Sequence, residues 1–275
     1  MSINLTELKD TLLQRRSIRT YGNTYPTEEQ VKEIRDYIEI LNTIEAPFNR
    51  RIRFCLQTED FYGIRTLGFI TGCKYWIYGV VPKDDKEALK QYGYLFELLV
   101  LKCTKMGLGT VWLGGTFTVA SFTAMEYDKE KEYIPCVSPV GYDGKGMELL
   151  SKMFGGRNRK PWETMFFDNS FEVPMKQGTM KEPFTEEMIE GIRYAPSAVN
   201  AQEWRIVFEG KNVHFFGMQV GNFFEVDLGI CVANAAVAFE ANGIKGKLVR
   251  GEEGELREKV KAPKDLVYVI SFIGE

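Results

Sequence analysis

The chain repeats part of itself, and that repeat limits its fold more than any single motif. Thr27-Glu28-Glu29-Gln30-Val31-Lys32-Glu33-Ile34-Arg35 and Thr185-Glu186-Glu187-Met188-Ile189-Glu190-Gly191-Ile192-Arg193 agree at five of nine positions, 158 residues apart. Each opens with a threonine placed to accept a free backbone N–H and two carboxylates suited to the positive end of a helix dipole. Each follows a proline, Pro26 or Pro183, and runs on to Ala-Pro, at Ala46-Pro47 and Ala195-Pro196. Two later echoes keep the order. The apolar run Tyr94–Met106 before Gly107-Leu108-Gly109 parallels Ile230–Asn242 before Gly243, with glycine where a left-handed helix cap is needed. The strand-like Pro135–Gly141 parallels Val269–Gly274. Capped helices and glycine-ended strands occur in any α+β protein, but three echoes in one order favour two copies of one unit.

The pattern predicts helices over Leu5–Arg15, Glu28–Ile44 and Lys86–Met106 and strands over Arg51–Gln57, Lys74–Val81 and Tyr133–Gly141. In the second copy it predicts helices Glu186–Tyr194 and Leu228–Asn242 with strands Arg205–Glu209, Val213–Gly217 and Asp265–Ile273. Hairpin strands mixed with long helices indicate an α+β fold. The expected division is residues 1–167 and 168–275, two halves packed as one compact unit without a flexible linker.

Composition narrows the function by exclusion. At 275 residues, 44% hydrophobic and 27% charged, the chain has the balance of a globular protein. A net charge of −3 gives no long-range attraction for phosphate backbones, so nucleic acid is not an expected partner. No run reaches the ~18 apolar residues of a membrane span, and the start lacks a signal-peptide pattern. Five scattered cysteines without C-x-x-C spacing fit reduced, buried thiols, hence an expected cytoplasmic location. The single histidine, His214, sits in a strand-like run and reads as a structural residue. Multi-histidine metal sites are thereby excluded, and triad chemistry would rest on that one residue. An enzyme built this way would borrow its chemistry from a cofactor.

Four segments carry binding potential. Arg15-Arg16-Ser17-Ile18-Arg19 sets three guanidiniums and a hydroxyl within five residues, suited to a phosphate or, equally, to a solvated basic helix end. Arg157-Asn158-Arg159-Lys160 after Gly155-Gly156 supplies a second basic group, or a plain surface loop. Pro196-Ser197-Ala198-Val199-Asn200-Ala201-Gln202 offers a hydroxyl and two amides, suited to a heterocycle edge or to a polar turn before Trp204. Gly107-Leu108-Gly109-Thr110-Val111-Trp112-Leu113-Gly114-Gly115 fits neither G-x-G-x-x-G nor the P-loop spacing, but two glycines at its end let backbone approach a flat ligand.

Together these segments resemble the nitroreductase-like flavoproteins, marked by R-x-S-x-R, A-P-S-x-x-N-x-Q-P-W, G-L-G-T-x-W-I-G, V-G-Y and a late R-x-R. The matches here are Arg15–Arg19, Ala195–Trp204, Gly107–Gly114, Val140-Gly141-Tyr142 and Arg157-Asn158-Arg159. The likeness spans nearly the whole chain and is closest to members in which one polypeptide imitates the family's dimer. It implies a nitroreductase-like fold of two tandem degenerate copies, an internal pseudo-dimer able to stand as a monomer, with FMN at the junction. Arg15, Arg16, Ser17, Arg19, Arg157 and Arg159 would hold the phosphate. Pro196, Ser197, Asn200 and Gln202 would meet the ring edge from the second half, and backbone at Trp112, Leu113, Gly114 and Gly115 would lie over the ring. The resemblance implies ping-pong transfer from NADPH or NADH to a nitroaromatic, quinone or similar small-molecule electron acceptor, with flavin N5 rather than any side chain as the reacting centre. Arg205 or Lys211 would stabilise the reduced ring. The alternative is a flavin carrier or sensor without turnover.

The departures predict one site per chain. Ala46-Pro47-Phe48-Asn49 lacks the serine and the N-x-Q, and Asp168-Asn169-Ser170-Phe171 lacks basic residues where the second half would need its own R-x-S-x-R. Glu203 stands where the family has proline before Trp204, adding an expected negative charge near the ring.

Overall fold

The computed structural model describes residues 3–58, 66–144 and 158–275. Two five-stranded sheets carry the same strand order. In the first, β1 (Arg53–Thr58), β2 (Tyr75–Pro82), β5 (Val137–Gly141) and β3 (Gly109–Thr110) lie side by side, with β4 (Glu132–Tyr133) also on β2. In the second, β7 (Trp204–Glu209), β8 (Asn212–Met218), β10 (Leu266–Gly274) and β9 (Gly246–Val249) follow that order, and β6 (Phe166–Asp168) joins β7 in parallel. The chain thus leaves the first sheet at Asp143–Gly144 and by Phe166 is adding an edge strand to the second.

Between the sheets run α3 (Lys86–Lys105) and α5 (Phe224–Ala241), both buried on nearly every side. α5 is apolar on nearly every face, as a core helix must be, whereas α3 takes Lys90, Gln91, Glu97 and Lys102 into the interior with it. Their crossing is close because glycine meets backbone in both directions. A Cβ on Gly93 would stand 2.1 Å from the Val226 carbonyl oxygen, and one on Gly229 would stand 2.0 Å from that of Lys90. Gly93 and Gly229 are 136 residues apart, as are the helix-ending Gly107 and Gly243, both at φ +75°. The repeat is therefore a repeat in space.

Side chains from both sheets and both helices form one continuous core, including Phe54, Ile77, Phe96, Phe215, Phe239 and Ile270. Each such buried apolar side chain contributes about 1.5–3 kcal/mol. Smaller clusters cover the outer faces: Trp76, Tyr78 and Phe122 on the first sheet, and Val207, Phe216 and Tyr268 under α6 (Glu253–Val260) on the second.

α2 (Glu28–Leu41) and α4 (Glu186–Arg193) are the repeated helices. Thr27 and Gln30 close a reciprocal capping box, while Thr185 accepts from the Met188 N–H. The expected helix Leu5–Arg15 is two pieces, a 3-10 turn Leu5–Leu8 and the one-turn α1 (Thr11–Gln14). Asn4 caps Thr6 and the Lys9 N–H turns back to the Thr6 carbonyl, tightening and ending the first turn. The expected strand Tyr133–Gly141 divides into β4 and β5. Five residues there, Tyr133 to Val137, oppose four on β2, Tyr78 to Val81, a bulge next to Pro135, which has no N–H to give.

Candidate functional site

α1 and α4, the helices that lead into the two most distant motifs, touch one another. Lys9 Nζ is 3.5 Å from Glu187 Oε1, and a Cβ on Gly191 would be 2.9 Å from Leu12 Cδ1. The contacts advance together along both segments, so the helices run the same way. Arg15 therefore leaves α1 at the end where Tyr194-Ala195-Pro196 leaves α4. Asn234 of α5 donates to the Gly191 carbonyl at 2.8 Å and fixes α4 against the core.

Arg15–Arg19 then runs along the edge of the first sheet. Ser17 pairs with Thr110 in parallel, and the Ile18 N–H donates to the Thr110 carbonyl at 2.9 Å. Glycine at 109 allows this, since a Cβ would meet Ile18 at 2.5 Å. The arginines divide. Arg15 turns inward, its side chain 6% exposed, with Nε 3.8 Å from Glu97 Oε1. Arg16 reaches Asp143 at 2.9 Å on the surface. Arg19 is partly buried, and burial lowers its guanidinium pKa without removing its charge. Beside the run, the hydroxyls of Thr20 and Thr110 are buried without a hydrogen-bond partner.

Glu97 lies on α3, wholly buried, and its other oxygen accepts from Trp112 Nε1 at 2.9 Å. Burial raises its carboxyl to about 7, against the lowering by Arg15 and by the Trp112 hydrogen bond. It links the arginine run to the glycine-rich segment. Trp112 also packs edge-on to Phe96. Leu113 exchanges backbone hydrogen bonds with Val137 at 2.9 Å, so Gly114 and Gly115 emerge beside the sheet. Gly114 is covered from the second half, because a Cβ there would lie 2.4 Å from the Phe223 ring. Gly114, Gly115, Phe117, Tyr133, Pro135 and Phe223 line a cleft of about 340 Å³ between the halves.

The loop after α4 is the most strained stretch near the site. Val199, Asn200 and Gln202 adopt φ of +46°, +59° and +50°. A β-branched residue there costs on the order of 1–2 kcal/mol and must be held by its surroundings. The Gln202 N–H donates to Ser197 Oγ at 3.0 Å, and both Asp227 oxygens stand 3.0 Å from the Ala198 N. Gln202 itself is buried. Its amide accepts from Lys160 N at 2.9 Å and donates to the carbonyls of Asn200 and Asn158 at 2.9 and 3.3 Å. Asn200 bonds the Asn158 carbonyl and Arg159 Nη1. Arg159 also donates to the Tyr194 carbonyl at 3.2 Å and lies over the Tyr194 ring at 4.9 Å. The second basic group thus meets the second-half loop. Arg157 lies outside the described residues.

Glu203 bonds Lys160 at 3.0 Å and stands 3.9 Å from Arg205, so its charge is balanced locally. Arg205 donates to the carbonyls of Gln202 and Trp204 beneath the loop. Lys211 sits in the turn at the opposite end of β7, bonded to the Glu275 carbonyl, and is separated from the site. His214 is a buried strand residue between Ser271, at 2.7 Å, and Glu209, at 3.1 Å. No cluster of metal-ligating side chains occurs among the described residues.

Three residues absent from the sequence reading matter here. Glu97 was visible as a lone carboxylate inside the apolar run Leu95–Leu101. Asp227 falls just before the expected helix Leu228–Asn242 and within the observed one, and Phe223 has no signal at all.

The family model described as "Putative TM nitroreductase" matches residues 7–239. A crystal structure of a "putative nitroreductase" from Thermotoga maritima superposes with a TM-score of 0.61 at 19% identity, over 99% of this chain and 96% of that one. A nitroreductase so described from Desulfovibrio desulfuricans, in complex with FMN, gives a TM-score of 0.43 at 18% identity, over 67% of this chain and 100% of that one. No curated protein matches the chain. The Thermotoga structure shows that the two chains share a fold.

Proposed function

The chain belongs to the putative TM nitroreductase family, and from that premise we propose that it binds one FMN and transfers electrons from NADPH or NADH to a small electron-poor acceptor such as a nitroaromatic or a quinone. The observation that supports the reading is the packing of α1 against α4, since Arg15–Arg19 follows the one and Ala195–Gln202 the other. The donor set suits a phosphorylated heterocycle: cationic guanidiniums, the Ser17 hydroxyl and two orphaned threonine hydroxyls flank the first-half segment.

In this assignment Arg16, Ser17 and Arg19, with Arg159 and Arg157, hold the phosphate, and Arg15 anchors the run through Glu97. Pro196, Ser197 and the strained backbone beside them meet the ring edge, while Asn200 and Gln202 keep that loop seated on residues 158–160. Trp112, Leu113, Gly114 and Gly115 offer backbone to the ring. Arg205, beneath the same loop, would be the cation that favours negative charge on the reduced ring. When bound, FMN would supply the redox chemistry, and one groove over it would admit donor and acceptor in turn. The protein side chains bind and orient, and none is assigned a proton-transfer role.

Each half contributes what the other lacks, so the chain is read as an internal pseudo-dimer with one site, the expected division at 167/168 moving ahead of β6 because Phe166–Asp168 pairs with the second sheet. The absorption spectrum of the purified protein tests this. A yellow protein that is bleached anaerobically by NADPH or NADH and reoxidised by a nitroaromatic is the expected result. A yellow protein inert to both donors supports a carrier, and a colourless one that takes up no added FMN overturns the proposal.

A further inference from the structure

The two Ala-Pro loops are held from the central helices by residues at matching positions. Gln91 of α3 and Asp227 of α5 are 136 residues apart, the spacing of the two glycine pairs that superimpose those helices. Gln91 is buried, accepts from the Phe48 N–H at 3.1 Å and donates to the Ala46 carbonyl at 2.8 Å. Asp227, 8% exposed, meets the Ala198 N–H with both oxygens at 3.0 Å. The neutral amide serves the loop that has lost its motif, and a carboxylate serves the loop that keeps it.

A buried carboxylate normally faces a cation or several donors. Asp227 has one N–H shared between two oxygens. Burial raises its carboxyl to about 7, with the Ala198 N–H opposing that shift and the charge of Glu203 adding to it. The other ionisable groups around the first turns of α3 and α5 and the adjoining segments are engaged or neutral. Glu203 bonds Lys160 and faces Arg205, Glu225 is paired with Lys86, and Lys90 with Glu87. The Cys136 thiol is pushed up by burial and by Asp227.

We propose that Asp227 is a positioning residue that latches the strained loop 197–202, and that the latch is released on protonation. The carboxylate is a strong acceptor for the Ala198 N–H; the acid presents one carbonyl oxygen and a hydroxyl, and the hold weakens. Because residues 197–202 carry the ring-edge contacts in the function proposed above, the consequence for ligand binding rests on that reading. The latch itself does not.

Hydrogen exchange on the full chain without added flavin tests the latch, following the peptide 195–203 after correction for intrinsic amide rates. Protection in the unaltered protein is expected to rise roughly tenfold from about pH 6 to about pH 8.5, the effect of one charge-assisted hydrogen bond. In Asp227→Asn, which copies the Gln91 amide, the step disappears while protection persists. In Asp227→Ala protection is low at both pH values. The peptide 44–50, held by Gln91, shows no step in any of the three proteins. A step retained in Asp227→Asn, protection undiminished in Asp227→Ala, or the same step in peptide 44–50 would each overturn the proposal. Failure of FMN to bind would sink the flavin reading and leave this exchange result standing.

Discussion

Set side by side, the loops after α2 and α4 show how one topology supports two outcomes. Both leave a Thr-capped helix, pass Ala-Pro and are held by a side chain from a central helix. In the first half the residue after proline is Phe48, 5% exposed and packed into the main core, and the loop is spent on stability. In the second half the same place holds Ser197. The chain beyond it takes three left-handed residues, leaves Val199 85% exposed and is pinned by side-chain hydrogen bonds. Apolar filling removes a site, whereas a hydrogen-bonded and strained loop keeps polar groups at the surface of the junction. The N-terminal runs show the reverse asymmetry. Arg15–Arg19 lies along the first sheet, whereas Asp168-Asn169-Ser170 finishes β6, with Asp168 tied to Lys181 at 2.6 Å.

The strongest way to break this comparison is at what the halves share. Gly93→Ala or Gly229→Ala drives a Cβ into helix backbone that cannot move aside, and each is expected to cost about 3 kcal/mol or more, seen as a lowered urea midpoint. Gly114→Ala meets only the Phe223 ring, which can turn, and leaves the midpoint nearly unchanged. Equal effects at the three positions would remove the glycine crossing as the reason for the close packing.

Phe48→Ala is expected to cost about 3 kcal/mol by opening a cavity, whereas Ser197→Ala costs roughly 1 kcal/mol through one lost hydrogen bond. If Ser197→Ala proves the more damaging in thermal unfolding, the division of labour between the loops is wrong.

The pH dependence sharpens the same contrast. Glu97 and Asp227 are both raised to about 7, so the folded protein keeps protons that the unfolded chain releases above about pH 4. Their contribution to stability is fully present below that range and is lost as pH rises through about 7. Unfolding free energy should fall by on the order of a few kcal/mol over that window, and Glu97→Gln or Asp227→Asn should each flatten the slope. Gln91→Glu, placing the second-half chemistry in the first half, should steepen it.

The smallest expected effect is a gain. Val199→Gly relieves a left-handed valine and is expected to raise stability by less than about 1 kcal/mol, since glycine also loosens the unfolded chain. A clear loss in thermal unfolding would show that the Val199 side chain makes contacts its exposure does not suggest.

Much of this molecule is legible in its residues. The repeat, the two buried helices, their glycine ends and most strands follow from periodicity and caps, because those signals act within a few residues. The missed elements β3, β6, β9 and α6 are short or weakly apolar, formed by the neighbours they pair with or cover. The split of Leu5–Arg15 turned on a local cap, Asn4, competing with helical continuation.

What the sequence determined by itself is therefore the inventory: two copies, a basic run in one and a polar Ala-Pro loop in the other, with the residue types that the proposed phosphate and ring-edge contacts would need. Which of those residues face the site and which hold it was decided only by tertiary structure. Arg15 and Gln202 carry the right chemistry, yet the fold turns one onto Glu97 and closes the other into its own loop. Burial and the direction of a hydrogen bond depend on partners that stand far away in the chain, and no local pattern encodes them.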